Sequence, residues 1–326
     1  MTGIWVPRRS MANILFIKTS SLGDVIHHMP ALTDARSARN DAVFTWLVEE
    51  EFAPLVRLHP AAGEVIPVAW RRWRKSVYAP ATMAEISGSF SVIRGRQYDD
   101  IVDSQGLLRS ALLARIARGR RHGYDALSIR EPLASHFYDV RYRVDRSLHA
   151  VERNRILSGL ALGYVPQGAP DFGLDRSRFA GGASRYAVLL HATARAEKQW
   201  PEAHWIALGR ALSEGRALEL VLPWGSEIER VRSENIARKV PGSRVPDRAS
   251  LDQVAKLIGG AQFVVGVDTG LLHLAAALSV PLVAIFTHSK PGLTGPVGSG
   301  RRSILGDDGM PPSVDAVMDA VAEITR

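Results

Sequence analysis

The chain of 326 residues has no cysteine. Disulfides and thiolate metal sites are therefore excluded, and a reducing cytoplasm is the natural compartment. No apolar run reaches the ~18 residues that a membrane-spanning helix needs. There is no Walker phosphate loop, no G-x-G-x-x-G turn after the first apolar run and no His/Asp spacing suited to a metal. No metal and no cofactor is therefore implied. Short repeats and low-complexity tracts are also missing. Residues 1–10, MTGIWVPRRS, lack the apolar core of a signal peptide and precede a second methionine, Met11. They read as an N-terminal extension outside the fold.

What is present suits a globular protein with sizeable cores. Apolar residues make up 46% of the chain, and its length allows two domains of about 150 residues each. The net charge of +8 is uneven. Residues 1–160 hold 23 Lys and Arg against 16 Asp and Glu, whereas the remainder holds 18 against 17. An anionic partner should therefore meet the N-terminal half. Nucleic acid, an anionic membrane surface and a multiply charged acceptor all fit that description.

The stretch ILFIKTSSLGDVIHHMP, residues 14–30, organises this half. Residues 14–17 are a short apolar run, as in a buried strand. The small polar loop Lys18-Thr19-Ser20-Ser21-Leu22-Gly23 follows, and Asp24 opens an amphipathic helix through Val25, Ile26, Met29 and Leu32. In an open α/β sheet this loop lies at a strand's carboxyl end, where such folds bind ligands. Asp24 then has two readings, a helix N-cap or a general base at the mouth of a cleft.

Strands are expected over 43–48, 64–68 and 99–103, with helices over 49–58, 81–98 up to its glycines, 107–117 and 147–163. The last helix carries His149, Glu152 and Arg153. Residues 118–121 read as a basic turn. The densest basic cluster is Trp70-Arg71-Arg72-Trp73-Arg74-Lys75. Interleaved tryptophans suit stacking beside nucleic-acid phosphates or the headgroup level of a bilayer. A solvated charged loop is the plainer alternative. Residues 166–184 are rich in Gly and Pro and read as a linker. The pattern then restarts, with strands over 186–191, 218–222, 263–267 and 281–286. Helices are expected over 201–214, 227–239, 251–258, 269–278 and 313–325. This alternation predicts two doubly wound, mainly parallel α/β domains facing each other.

The second strong motif is VVGVDTGLLHL, residues 264–274. Asp268-Thr269-Gly270 opens a helix after a strand, where free N–H groups and the helix dipole favour phosphate. Gly270 would let backbone approach an anion, while the Asp268 carboxylate should turn to a hydroxyl or a backbone donor. In HATARAEKQWP, residues 191–201, Thr193 and Lys198 can donate to phosphate, and Lys198 can neutralise a leaving diphosphate. Glu227, beyond Pro223-Trp224-Gly225, could accept from a ribose.

Together KTSSLGDVIHHMPALTD, RRWRK, DSQGLLRSAL, REPLAS, HATARAEKQWP, PWG and VDTGLLHL resemble the ADP-heptose glycosyltransferase family. The motifs resemble those of its heptosyltransferase I type, which adds the first heptose, from about Met11 to the C-terminal helix. The resemblance implies the glycosyltransferase B fold, two Rossmann-like domains across a cleft. An acceptor-binding domain would span 11–165 and an ADP-heptose-binding domain 185–312. Residues 313–326 would form a helix packing back on the N-terminal domain. It implies transfer of L-glycero-D-manno-heptose from ADP-heptose, a substrate rather than a cofactor, to Kdo of Kdo2-lipid A, with inversion and without metal. Asp24 matches the proposed base. Lys198, Thr193, Asp268, Thr269 and Gly270 match donor positions, to which Ser20, Ser21, Gly23, Glu227 and His273 are added. Arg71, Arg72, Lys75 and Arg130 match positions meeting the anionic acceptor. The enzyme would then sit peripherally on the anionic inner face of a Gram-negative inner membrane and bind no nucleic acid. Another sugar-nucleotide glycosyltransferase, or an epimerase of the same fold, is the alternative. The chain departs from close relatives in one place: Ala194 stands where they have a second threonine, so one hydroxyl to the diphosphate would be missing.

Overall fold

A computed structural model describes residues 11–179, 185–193, 195–214, 218–288, 291–307 and 309–326. The extension 1–10, the last part of the expected linker and Ala194 lie outside the described residues. Among the described residues the chain forms two parallel sheets, each with helices on both faces. The first contains β1 (Asn13–Ile17), β2 (Val43–Glu49), β3 (Glu64–Val68), β4 (Gln97–Asp103), β5 (Arg118–Tyr124) and β6 (Val140–Tyr142), in the order β3-β2-β1-β4-β5-β6. The second contains β7 (Tyr186–Leu190), β8 (Glu219–Val221), β9 (Ser243–Arg244), β10 (Val264–Val267), β11 (Leu282–Ile285) and β12 (Arg302–Leu305), in the order β12-β11-β10-β7-β8-β9. Both orders are those of a doubly wound dinucleotide-type sheet. Strand order reverses between β1 and β4 and, in the second sheet, between β7 and β10.

The central strands follow from near-continuous apolar runs. Ile14, Leu15, Phe16 and Ile17 are all fully buried, as a strand covered on both faces requires. Edge strands are less apolar, and three of the four edges, β6, β9 and β12, carry no such run. β5 replaces the expected basic turn at 118–121. Its register sets Arg120 opposite Asp100 and Arg121 opposite Ile101, and its first residues are too polar to read as a strand.

One face of the first sheet packs on helices Pro80–Arg94 and Leu108–Ile116, around Leu15, Leu47, Ile101 and Leu113. The other face packs on helices Leu22–Ala38 and Ala150–Leu162, and its core runs on into the second domain through Ile258 and Leu272. The C-terminal helix Val314–Ile324 corrects an expectation. It packs on its own domain, with Val317 and Val321 among Leu189, Trp205 and Val283, and not back on the N-terminal domain. The described part of the linker is fastened at both ends. Phe172 is buried in the shared core, and Arg176 donates to the carbonyls of Gly259 at 2.9 Å and Ala261 at 2.7 Å. No helix among the described residues is long and apolar enough to cross a membrane.

Candidate active site

The loops after β1, β4, β7 and β10 converge between the domains, at the two points where strand order reverses. After β1 the chain is held by buried polar groups. Lys18 Nζ donates to the Ser104 carbonyl at 2.9 Å. The Thr19 and Ser20 amides both donate to Gln105 Oε1 at 3.0 Å. Burial lowers the Lys18 pKa, against the pull of the Asp24 and Asp103 carboxylates. Asp103 is fully buried and accepts from Tyr138 Oη at 2.8 Å and the Gln105 amide at 2.9 Å.

Asp24 is not the N-cap. Helix Leu22–Ala38 starts two residues earlier than expected, Ser21 is the cap, and Asp24 stands at the third helical position. Its Oδ2 accepts from the Ser21 amide at 2.9 Å and from Ser21 Oγ at 2.8 Å. This reciprocal use of the third residue is a capping-box arrangement. Among the described residues only Oδ2 is engaged in this way, which leaves Oδ1 for a ligand. Asp24 is thus both a helix-start residue and a half-buried carboxylate facing the cleft.

Across the cleft, Lys198 Nζ lies 2.5 Å from Asp268 Oδ2, and Thr193 Oγ1 donates to the Asp268 carbonyl at 3.1 Å. The Asp268 carboxylate therefore meets an ammonium, where a hydroxyl or a backbone donor was expected. Gly270 also serves the domain seam. A Cβ there would lie 2.7 Å from Leu22 Cβ, so its bareness lets two helix starts touch across the domain seam. Gly23 is the reciprocal case, with a Cβ meeting His273 Cδ2 at 3.0 Å.

Beneath these contacts His27 Nε2 lies 3.3 Å from His273 Nδ1, and the His149 ring packs edge-on against His27. Burial lowers all three pKa values. His273 falls to about 4 although Asp268 and Asp24 pull it upward. The cluster is neutral near pH 7.

Two cavities meet at Asp24. The larger, about 660 Å³, lies between the domains. Ser21, Gly23, Asp24 and Arg71 line it on one side, and Thr193, Arg195, Lys198, Asp268, Thr269, Gly270 and His273 on the other. The smaller, about 180 Å³, is lined by Lys18, Asp24, Arg130, Arg153 and Asn154 of the N-terminal domain. Asp24 and Thr294 belong to both.

Other expected site residues fall elsewhere. Ser20 is buried and its Oγ accepts from Arg109 at 2.7 Å. Glu227 begins helix Glu227–Ala237, outside both cavities, and is bonded to Arg230. Arg72 is fixed between Glu50, at 3.0 Å, and Glu85, at 2.6 Å. Lys75 is exposed and lines neither cavity. The two tryptophans correct a second expectation. Trp73 is buried, and Trp70 packs partly buried on the same core, so they anchor the short helix Trp70–Trp73 rather than face bases or headgroups. Their spacing of three residues puts both on one helical face. Lys18 and Arg153 had no assigned role in the sequence. A lysine at a strand's carboxyl end was the available signal for Lys18, whereas Arg153 gave none.

Residues 90–318 match the family described as glycosyltransferase family 9 (heptosyltransferase). A lipopolysaccharide heptosyltransferase 1 from Pseudomonas aeruginosa is 45% identical over 299 residues, covering 90% of this chain and 84% of the relative. The enzyme of the same name from Escherichia coli K12 is 42% identical over 293 residues, covering 88% and 92%. The solved structure of E. coli heptosyltransferase WaaC with ADP superposes with a TM-score of 0.89 at 40% identity, covering 95% of this chain and 99% of that one. WaaC with ADP-2-deoxy-2-fluoro heptose gives 0.87 at 39% identity, with the same coverage.

Proposed function

The chain belongs to glycosyltransferase family 9, the heptosyltransferases, and on that premise we propose how its own residues divide the reaction. It is a heptosyltransferase of lipopolysaccharide core biosynthesis, with ADP-heptose as donor. Its acceptor is Kdo of Kdo2-lipid A, held from the N-terminal domain at the inner face of the inner membrane. Three cations around the small cavity, Lys18, Arg130 and Arg153, suit a sugar carboxylate and lie beside Asp24.

The donor diphosphate occupies the interdomain cleft at Lys198, Thr193 and the start of helix Gly270–Ala277. Asp24 Oδ1 takes the proton of the acceptor hydroxyl. The hydroxyl oxygen forms the new bond to the anomeric carbon from the face opposite the leaving group, which inverts the centre. The old carbon–oxygen bond breaks toward the diphosphate, and ADP leaves with the electron pair. Lys198 and the helix N–H groups stabilise the charge that grows there.

The observation that carries this reading is that Asp24 is a wall common to the cationic cavity and the donor cleft. Asp24→Asn tests it. An asparagine oxygen can still accept from the Ser21 amide, so the helix start survives. The base role predicts a normal melting curve and donor affinity, with kcat lower by roughly 10²–10⁴-fold. A folded variant that keeps more than about a tenth of kcat, with chemistry rate-limiting, refutes it.

A further inference from the structure

The face of the N-terminal domain away from the C-terminal domain carries an apolar groove of about 500 Å³ along helix Pro80–Arg94. Val77, Tyr78, Met83, Ile86 and Phe90 line it, and Arg94 closes one end. Tyr78 is 93% exposed and Met83 59%. Only Thr82 and Ile93 of this 15-residue helix are buried. So large an apolar exposure marks an interaction surface.

Charge brackets the groove. Arg94 also lines a second concavity of about 500 Å³ with Arg115, Arg118 and Arg121. Arg121 is held by Asp139, whereas Arg94, Arg115 and Arg118 are exposed and form no ion pair among the described residues. At the other end Arg74 and Lys75 are exposed and likewise unpaired among the described residues. Of the six cations between residues 69 and 96, Arg71, Arg72 and Arg96 are paired with glutamates, whereas Arg74, Lys75 and Arg94 form no ion pair among the described residues. The helix is ~22 Å long at 1.5 Å per residue, so apolar side chains lie between two cationic ends along that length.

We propose that this face, the Val77–Phe90 groove with the Arg94–Arg115–Arg118 concavity, docks the enzyme onto an anionic lipid bilayer, apolar side chains entering among acyl chains and arginines meeting lipid phosphates. Apolar groups and arginines side by side fit an interfacial lipid surface. Nucleic acid would use the charge and leave Met83 and Val77 unexplained. The groove begins a few residues from Arg71, which lines the catalytic cleft. A lipid-anchored acceptor could therefore reach the cleft without leaving the bilayer. That last step rests on the lipid acceptor proposed above, while docking itself does not.

The test uses the full chain, vesicles of phosphatidylethanolamine with phosphatidylglycerol, and vesicles of neutral phosphatidylcholine. Wild type should sediment with the anionic vesicles at least tenfold better than with the neutral ones. Tyr78→Asp with Met83→Asp, and separately Arg115→Glu with Arg118→Glu, should each weaken anionic-vesicle binding at least tenfold. All four residues are exposed, so melting should not change. Transfer to a water-soluble Kdo acceptor without acyl chains should stay within twofold of wild type, while transfer to an acceptor embedded in vesicles falls. No sedimentation of wild type, or sedimentation unaltered in both variant pairs, overturns the docking face. So does equal binding to a polyribonucleotide that the Tyr78/Met83 pair leaves intact. Failure of wild type on the soluble acceptor would instead overturn the acceptor assignment and leave the vesicle result standing.

Discussion

The two domains share a strand order and use it differently. In the N-terminal domain the loop after the first strand is a closed polar network. Lys18, Gln105 and Arg109 spend their hydrogen bonds on neighbouring backbone and on Ser20, and one carboxylate oxygen of Asp24 is left over. In the C-terminal domain the equivalent loop reaches across to the next switch-point strand, and Lys198 meets Asp268. In the reaction we propose, the first arrangement presents a fixed proton acceptor. The second presents a cation that exchanges its carboxylate partner for a diphosphate. On that proposal, equivalent fold positions dictate where a ligand binds, while the side chains decide which half of the reaction each domain performs.

The strongest challenge to this division is Lys198→Ala. It should lower kcat by roughly 10²–10³-fold, as loss of one charge-stabilising donor typically does. It should also raise the donor KM, because the diphosphate loses a cation while the Asp268 carboxylate stays beside it. Adding Asp268→Asn should restore donor binding but not kcat. If the double variant binds donor no better than the single one, Asp268 is not the partner from which the diphosphate takes Lys198.

The seam between the domains provides the next comparison. Gly270→Ala puts a methyl 2.7 Å from Leu22, and Gly23→Ala puts one 3.0 Å from the edge of the His273 ring. Overpacking of this kind costs about 1–3 kcal/mol. Gly270→Ala should therefore lower kcat/KM by roughly ten- to a hundredfold, and Gly23→Ala by less, since a ring can shift more easily than a Cβ. A Gly270→Ala enzyme with wild-type kcat/KM would show that the domains need not close this tightly.

Acid should act on both domains and on the seam. Burial depresses His27, His28 and His59 on one side and His191 and His273 on the other, with His59, His191 and His273 lowered to about 4. Unfolded chains take up these protons near pH 6.5, whereas in the native protein His59, His191 and His273 resist until about pH 4 and His27 and His28 also stay well below the free value. The unfolded state then binds more protons, so stability is full above about pH 6.5 and falls as pH drops through that window. Each such histidine can cost up to about 1.4 kcal/mol per pH unit there. Melting temperatures measured from pH 7 to 4.5 should decline steadily, and His27→Gln should flatten the slope. A flat profile would mean that these imidazoles take up protons without disturbing the fold.

The smallest effect separates two arginines of similar appearance in the sequence. Arg130→Ala should raise the acceptor KM several-fold and leave the donor KM unchanged. Arg72→Ala should change the acceptor KM less than threefold, since Glu50 and Glu85 already occupy its guanidinium and exposed pairs contribute only about 0–1 kcal/mol. A larger effect at Arg72 than at Arg130 would move the acceptor's anionic groups to the Trp70–Lys75 segment.

The sequence by itself determined the class of fold, the central strands, most helices and the loops that converge on the interdomain cleft. Those features are local: an apolar run, a 3.6-residue period, a small-residue turn or a helix start is complete within about ten neighbouring residues. It also located the charge asymmetry, which is a sum over residues. Tertiary structure alone decided the rest, because each remaining feature pairs residues far apart in the chain. The edge strands β6, β9 and β12 exist through a neighbour's hydrogen bonds rather than their own apolarity. The contact of Gly270 with Leu22 across the seam is invisible until both domains are in place. Trp70 and Trp73 look like surface aromatics until the sheet beneath them is in place. Arg72 looks like a free cation until Glu50 and Glu85 arrive. The joint of the two cavities at Asp24 requires both domains, since a side chain's neutralisation, burial and reach are properties of the space around it.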